Sequence, residues 1–360
     1  MDLMACPDLL QATAELVAIP SVSHHEEVIA DHIEARLRAV SWLEVTRIDN
    51  NVVGRTNLGR AQRLILAGHS DTVPVNNNAD ARMEGDLLYG VGSTDMKGGL
   101  AVFLAIAETI AEPTVDLTFV FYECEEVASE FNGLCKLLAQ RPDLVAGDAA
   151  ILGEPTEAII EAGCQGTMRA VLTLGGARAH TARPWMGRNA IHRMADVLTR
   201  LSAYEGRRPI IDGCEYREAI QATKVEGGVA GNVVPDRVQL TINHRFAPDR
   251  TPAEAEAHLR SVIGEDVLGD DAEFAITDCA NAAAPSLTQS LLAGLANQVG
   301  VPPRAKLGWT DVAFFAAQGI PAVNFGPGDP TIAHTQGEFV RRDQIVRAYD
   351  VLVDLVTIAR

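Results

Sequence analysis

Continuous apolar runs that alternate with helical segments are the feature that most constrains the fold of this chain. Apolar residues dominate RLILAG (63–68), LTFVFYE (117–123) and DAAILGE (148–154), a pattern typical of strands buried on both faces. Segment 96–111, between the first two runs, is predicted to be a helix that is apolar on nearly every side. Strands separated by helices of this length predict βαβ units and a largely parallel sheet with helices on both faces.

A different pattern occupies the middle of the chain. From about residue 166, strand-like and helical segments follow in the order β-α-β-β-α-β, which is typical of the split-βαβ sandwich. After about residue 279 the first pattern resumes. We therefore predict an α/β fold in which residues 1–165 and 279–360 form a catalytic domain with a mixed, largely parallel sheet covered by helices. Residues 166–278 form an inserted, ferredoxin-like domain.

The composition argues against a nucleic-acid partner and bears on the cellular location of the protein. The chain has 48 acidic and 30 basic side chains and a formal charge of −18, with no basic patch that would favour nucleic acid. No apolar run is long enough for a membrane span, and MDLMACPDLL does not resemble an export signal. We expect a cytoplasmic protein with reduced thiols, because the six cysteines are scattered. They are Cys6, Cys124, Cys135, Cys164, Cys214 and Cys279.

Side chains that can bind metal follow four of the apolar strands. They are His69 and Asp71 after the strand at 63–68, Glu125 and Glu126 after 117–123, Glu154 near the end of 148–154, and His334 beyond the strand that begins at Ile320. Asp95 lies just before the helix at 96–111. Because sites in open parallel sheets form at the carboxyl ends of the strands, these side chains are expected to meet. Carboxylates with two histidines suit Zn²⁺, Mn²⁺ or Co²⁺ better than Ca²⁺ or copper.

Each feature alone also has an ordinary structural explanation. Adjacent glutamates such as Glu125 and Glu126 usually mark a solvated turn, and a single histidine after a strand is more often structural than metal-binding. The segment GVGSTD (90–95) lacks the last glycine of a dinucleotide-binding fingerprint. The combination favours a metal site, because four separate strands end in the same kind of side chain.

Five motifs in this order resemble the dizinc aminoacylase and carboxypeptidase family. They are GHSDTVP (68–74), GVGSTDMKGG (90–99), Glu125-Glu126, GEPT (153–156) and His334-Thr335. The resemblance covers nearly the whole chain, and its first two motifs are long. It implies a metal-dependent hydrolase of amide bonds with two Zn²⁺ per subunit, where Co²⁺ or Mn²⁺ is possible.

The resemblance also implies a role for each side chain. Asp95 would bridge the two metals, His69 and Glu154 would complete one set of ligands, and Glu126 and His334 the other. Glu125 would remain available as the general base. Asp71 would fix the imidazole tautomer of His69, and the Asp95–Met96 peptide bond would be cis. The chain must then turn at Cys124–Glu126 to direct both glutamates into one site, because neighbouring residues on a regular strand face opposite sides.

The resemblance assigns substrate contacts to the inserted domain. Arg188, Asn232 and Arg245 would bind carboxylates of a small, anionic, N-acylated amino acid, since arginine pairs with them through two hydrogen bonds. His180 would polarise the scissile carbonyl in the site of a partner subunit, which implies a homodimer built on the inserted domain. Thr310 is a further substrate candidate, although the bulky Trp309 beside it departs from the family's pattern. The loop at 326–330 departs from that pattern as well.

Within the family, GEPT (153–156) followed by EAGCQG (161–166) most resembles members that act on N-succinyl-LL-2,6-diaminopimelate, so the resemblance implies this substrate, with N-acetylornithine or a peptide as the alternative. Two other classes of protein are considered as alternatives: a binding module without catalysis and a phosphate-processing enzyme. A binding module that lost its chemistry would lack the base or the bridging ligand, yet Glu125 and Asp95 are both present. A phosphate-processing enzyme with two metals would call for a phosphate-binding loop at a helix start, and the sequence offers no convincing one.

Overall fold

A computed structural model describes residues 8–269 and 271–358 of the chain. Its helices are α1 Leu9–Val17, α2 Glu27–Arg38, α3 Gly98–Thr109, α4 Gly133–Gln140, α5 Ala190–Ser202, α6 Pro252–Ile263, α7 Ser290–Val299, α8 Val312–Ala317 and α9 Arg342–Thr357. The first strands are β1 Glu44–Ile48, β2 Asn51–Arg55, β3 Arg63–His69, β4 Arg82–Glu84, β5 Leu87–Tyr89, β6 Asp116–Tyr122, β7 Ala149–Leu152 and β8 Glu161–Ala162. The others are β9 Gly166–Gly175, β10 Ile210–Ile211, β11 Cys214–Glu215, β12 Ala219–Gly227, β13 Arg237–Phe246, β14 Ala272–Ala280, β15 Arg304–Ala305, β16 Ala322–Asn324 and β17 Phe339–Arg341.

The chain separates into two compact units. Unit 1 comprises Met1–Ala162, Pro285–Arg304 and Phe314–Arg360, as far as these residues are described. Unit 2 comprises Gly163–Ala284 and Ala305–Ala313. Segment 305–313 was predicted to belong to the catalytic domain, but it packs within unit 2.

Hydrogen bonds account for the position of segment 305–313. The amide of Gln165 donates to the carbonyl of Lys306 at 3.2 Å, and Trp309 Nε1 donates to the carbonyl of Asn281 at 3.1 Å. Both partners of each bond belong to unit 2. The segment therefore lies against the residues next to β9 and β14, the first and last strands of the four-stranded sheet of unit 2.

The large sheet of unit 1 has the strand order β1-β2-β6-β3-β7-β16-β8-β15. The four central strands β6, β3, β7 and β16 run parallel to one another. On either side of them, β2 pairs antiparallel with β1 and β6, and β8 pairs antiparallel with β16. Every residue of β6 is buried, and α3 buries all residues from Gly98 to Ala107. Burial on both sides explains why these segments are apolar throughout. The predicted mixed, largely parallel sheet is confirmed.

Several elements of unit 1 are not apparent in the sequence pattern. The antiparallel pair β1–β2 has mixed polarity, with exposed or half-buried residues along β1. The small sheet β17-β5-β4 is built from three-residue strands. Such short or partly polar strands carry little periodic signal.

Unit 2 has the predicted β-α-β-β-α-β order in β9, α5, β12, β13, α6 and β14. Its antiparallel sheet has the order β12-β13-β9-β14, and residues of α5 and α6 pack on it in one apolar core. Along β13, buried and half-buried residues alternate, as expected for a sheet with one covered face. A capping box starts α6: the hydroxyl of Thr251 accepts from the amide of Glu254, whose carboxylate accepts from the amide of Thr251.

Two further expectations concern the thiols and the membrane. None of Cys124, Cys135, Cys164, Cys214 and Cys279 is in a disulfide bond with another described cysteine, and Cys6 lies outside the described residues. Within residues 8–269 and 271–358, every helix is too short or too polar to cross a membrane.

The buried His244 of unit 2 predicts a loss of stability in mild acid. Burial lowers its pKa from 6.5 to about 4, so the unfolded chain takes up the proton first as the pH falls. We expect about 3 kcal/mol of stability to be lost between pH 6.5 and 4 through this group. Urea unfolding at pH 7 and pH 4.5 should show a clearly smaller difference in His244→Leu than in the wild type. The exposed His192 supplies the control, since His192→Leu should keep the wild-type difference; an equal effect of both variants would contradict the prediction.

Candidate metal centre

The predicted ligands meet because their strands are neighbours. β6, β3, β7 and β16 lie side by side and parallel, so their carboxyl ends share one edge of the sheet. His69 is the last residue of β3, Glu154 follows β7, and the glutamates follow β6. His334 reaches the same edge on the long loop after β16.

Two groups of possible ligands share Asp95. One contains His69, Asp95 and Glu154, the other Asp95, Glu126 and His334, and within each group the ligand atoms lie within 4.8 Å of one another. Oδ1 of Asp95 is 3.1 Å from Nε2 of His69, and Oδ2 is 3.3 Å from Nε2 of His334. The two carboxylate oxygens thus face different groups, as a ligand shared by two cations would.

Glu125 lies close to the same atoms. His69, Glu125 and Glu126 form a third group within 4.8 Å. These three overlapping groups contain six of the seven predicted site residues of unit 1, and Asp71 is the seventh. The division of Glu125 and Glu126 into base and ligand remains a prediction.

A turn at Cys124 lets adjacent glutamates share one site. Cys124 has φ of +57°, in the left-handed region that residues other than glycine seldom adopt. The carboxylate of Asp71 accepts from both amides beyond this turn: Oδ1 from Glu125 at 3.0 Å and Oδ2 from Glu126 at 3.1 Å. Glu125 and Glu126 can both follow the buried strand β6 and reach one site because the backbone turns at Cys124. The bonds to Asp71 hold this turn. This task of Asp71 was not predicted.

Asp71 also lies beside His69, as predicted. Nδ1 of His69 is 3.1 Å from the backbone carbonyl oxygen of Asp71 and 3.4 Å from its Oδ1. Ser23 donates its hydroxyl proton to Oδ2 of Asp71 at 2.7 Å. With Nδ1 turned to Asp71, the imidazole directs Nε2 toward Asp95.

The electrostatics of the centre favour positive charge. Hydrogen bonds with Asp95 and then Glu126 raise the pKa of His334 to about 10. Burial opposes the charge on Asp95, yet His334 and His69 hold its pKa well below the usual range. Burial also lowers the pKa of His69, but Asp71 and Asp95 outweigh that effect and raise it well above 6.5. Grouped carboxylates that attract protons onto their imidazole neighbours would equally attract cations.

Glu338 holds the backbone at Asp95 and was missed by sequence reasoning. The Asp95–Met96 peptide bond is cis, as the resemblance implies. Oε1 of the buried Glu338 accepts from the amides of Thr94 at 3.0 Å and Asp95 at 3.2 Å. In the sequence, the feature that pointed to Glu338 was its position four residues after the predicted ligand His334.

Glycine is required where α3 approaches the loop that carries Glu154. A Cβ added at Gly99 would lie 2.2 Å from the carbonyl oxygen of Gly153, which is far inside contact distance. The glycine at this position thus lets the start of α3 pack directly against Gly153, next to the predicted ligand Glu154.

The predicted substrate residues all lie in unit 2. His180, Arg188 and Asn232 are exposed, Arg245 is half-buried on β13, and Thr310 is buried. The structure brings His180 and Asn232 near each other through the backbone, because the amide of Thr181 donates to the carbonyl of Asn232 at 3.0 Å.

The other three candidates occupy separate places. Arg188 forms an ion pair with Asp271. The carbonyl of Thr310 accepts from the amide of Ala313, close to the start of α8. No ion pair or side-chain hydrogen bond of Arg245 with another described residue is present. These five assignments remain predictions.

Comparison with known proteins identifies a matching family and relatives that align over nearly the whole chain. The sequence profile of peptidase family M20/M25/M40 matches residues 65–358. The chain is 52% identical over 346 residues to a Mycobacterium tuberculosis protein provisionally named as a succinyl-diaminopimelate desuccinylase, covering 96% of this chain and 97% of the relative. It is 46% identical over 358 residues to the succinyl-diaminopimelate desuccinylase of Corynebacterium glutamicum, covering 98% and 96%.

Solved structures support the same fold. A tripeptidase from Staphylococcus aureus matches with a TM-score of 0.78 at 22% identity over 97% of each chain. A metallo-carboxypeptidase from Sulfolobus solfataricus matches with a TM-score of 0.78 at 17% identity, over 99% of this chain and 98% of that one. The resemblance seen in the five motifs is thereby confirmed, and this chain is a member of peptidase family M20/M25/M40.

Proposed function

We propose that this protein is a metal-dependent amide hydrolase that converts N-succinyl-LL-2,6-diaminopimelate and water into succinate and LL-2,6-diaminopimelate. The observation that carries the proposal is the sharing of Asp95 between two ligand groups, with Glu125 beside them. The names of the relatives at 52% and 46% identity support the substrate. The product would serve lysine and cell-wall precursor synthesis.

The residues present fit two zinc ions. Each ligand group combines one imidazole with two carboxylates, a donor set that suits Zn²⁺ and also accepts Co²⁺ or Mn²⁺. One ion would be held by His69 and Glu154. The other would be held by Glu126 and His334, and Asp95 would be a ligand of both ions. When bound, such ions lower the pKa of a water molecule toward neutrality and polarise the scissile carbonyl.

Glu125 moves the proton in this proposal. Its carboxylate takes one proton from the attacking water as the water oxygen bonds to the amide carbonyl carbon. It then gives that proton to the amine nitrogen as the carbon–nitrogen bond breaks. The second proton of the water leaves with the new carboxyl group of succinate. Asp71 keeps Glu125 in place through the backbone and orients His69.

Arg245 is the best-supported substrate residue in unit 2. Burial lowers the pKa of its guanidinium, and none of the described carboxylates pairs with it. A partly desolvated guanidinium of this kind suits a substrate carboxylate. Arg188 would have to exchange Asp271 for the substrate. Asn232 and Thr310 would add hydrogen bonds.

The proposal includes a cytoplasmic homodimer assembled through unit 2, with His180 polarising the carbonyl in the partner's site. Exposed Ile191 and Leu198 on α5 support such an assembly. So does β12, whose outer edge is unpaired among the described strands of its sheet.

A rate assay on two substrates tests the function. Zinc-loaded protein should hydrolyse N-succinyl-LL-2,6-diaminopimelate and should turn over N-acetylornithine far more slowly. Arg245→Met should raise KM for the succinyl substrate by about 10–100-fold, because it removes a charge-assisted pair. Arg169→Met changes an exposed arginine of β9 and should leave KM unchanged. Preference for N-acetylornithine would replace the proposed substrate while keeping the metal chemistry.

A further inference from the structure

The buried residue Glu26 makes contacts that the proposed mechanism does not use. Glu26 precedes α2 at its N-cap position, is fully buried, and makes no side-chain cap to its own helix. Carboxylates at this position normally accept from the first amides of the helix. The side chain of Glu26 instead extends toward the turn after β6.

Oε1 of Glu26 accepts from the backbone of that turn. The amide of Cys124 donates to it at 3.1 Å, the Cys124 thiol at 3.3 Å, and the amide of His24 at 3.0 Å. Nδ1 of His24 lies 3.4 Å from Sγ of Cys124. Two different segments are therefore tied together through one carboxylate oxygen.

Three successive backbone amides of the turn donate hydrogen bonds to two buried carboxylates. Glu26 takes the amide of Cys124, and Asp71 takes those of Glu125 and Glu126. Cys124 is the residue in the left-handed conformation, which costs free energy and persists only where the surrounding contacts impose it. Loss of one acceptor would leave a buried amide without its bond, at a cost of about 1–3 kcal/mol.

Burying Glu26 is itself unfavourable. Its Oε2 is buried without a hydrogen-bond partner among the described residues. Burial, the largest influence, raises its pKa. A side chain placed at such cost needs an explanation, and the three bonds to Oε1 supply one.

We propose that Glu26 is a positioning residue for catalysis: it holds Cys124 in the left-handed conformation and so directs Glu125 at the reacting amide. The proposal rests on the proposed function of Glu125 as the base. Glu26 acts through the backbone and touches neither substrate nor ligand. Its removal should therefore lower kcat, with little change in KM or in metal content.

Substitution at Glu26 tests this role. Glu26→Ala should lower kcat by about 10–100-fold, the range seen when outer partners of a metal site are removed. KM should stay within about threefold, because the substrate is not contacted. Glu26→Gln keeps an acceptor oxygen at the same reach and should retain wild-type kcat within about threefold. Hydrogen exchange of a peptide spanning 121–127 should quicken in Glu26→Ala and not in Glu26→Gln.

Asp116 provides a matched control. It is a buried carboxylate at the opposite end of β6, where it accepts from the amides of Leu58 and Arg60, each at 2.8 Å. Asp116→Ala should lower stability without lowering kcat or changing exchange at 121–127. An equal loss of kcat in Asp116→Ala and Glu26→Ala would overturn the positioning role, as would wild-type kcat in Glu26→Ala.

Two further outcomes of this experiment are a Glu26→Ala variant that does not fold and a wild type that is inactive on the succinyl substrate. If Glu26→Ala does not fold, Glu26→Asp replaces it: the side chain is one methylene too short, so kcat should fall while Glu26→Gln stays active, and the reverse order would overturn the proposal. Failure of the wild type on the succinyl substrate would count against the proposed function. Exchange at 121–127 would still test whether Glu26 orders the turn.

Discussion

Glu125→Gln is expected to lower kcat by about 10³–10⁴-fold and to leave the bound metal unchanged. The amide keeps the size of the side chain but cannot take a proton from water. Asp71 should still hold the turn, since it bonds to the backbone amide of Glu125 and not to its side chain. Steady-state rates and elemental analysis of dialysed protein give the two quantities.

The neighbouring glutamate gives the matched comparison. Glu126→Gln changes the same group one residue later, on a side chain whose Oε1 lies 2.8 Å from Nε2 of His334. We expect it to lose metal and activity together. If Glu125→Gln lost metal and Glu126→Gln did not, the assignment of base and ligand would be reversed.

Asp95→Ala is expected to abolish turnover and to release at least one metal ion per chain. One of its oxygens faces His69 and the other faces His334, so this single change removes a ligand atom from both groups. A bound cation contributes several kcal/mol to the transition state, equivalent to a rate factor of about 10³ or more. Metal content, measured alongside kcat, would show the coupled loss.

Asp116→Ala serves as the control here too, because it also removes a buried carboxylate of unit 1. It should reduce stability and retain both metals. Full metal content in Asp95→Ala would contradict the bridging role.

The sequence was sufficient to predict the central strands and the meeting of the side chains that follow them. Apolar runs mark β3, β6 and β7 because both faces of these strands are buried, and the side chains beyond them converge because parallel strands end at one edge. That logic located His69, Glu126 and Glu154 without coordinates. Their individual roles came from the family resemblance.

The supporting contacts could not be predicted. Glu26 bonds to an amide 98 residues away, and Glu338 to one 244 residues away. Both bonds connect a side chain to a backbone amide, which leaves no pattern in the sequence. A turn after β6 was expected, but the left-handed conformation of Cys124 was not, because cysteine is not a typical residue of such turns.

Zinc titration of the metal-stripped wild-type protein, followed by hydrolysis of N-succinyl-LL-2,6-diaminopimelate, tests the central claim most directly. We predict negligible hydrolysis without metal and a rise in rate that ends when two zinc ions are bound per chain. Full hydrolysis by the metal-free protein would contradict the account.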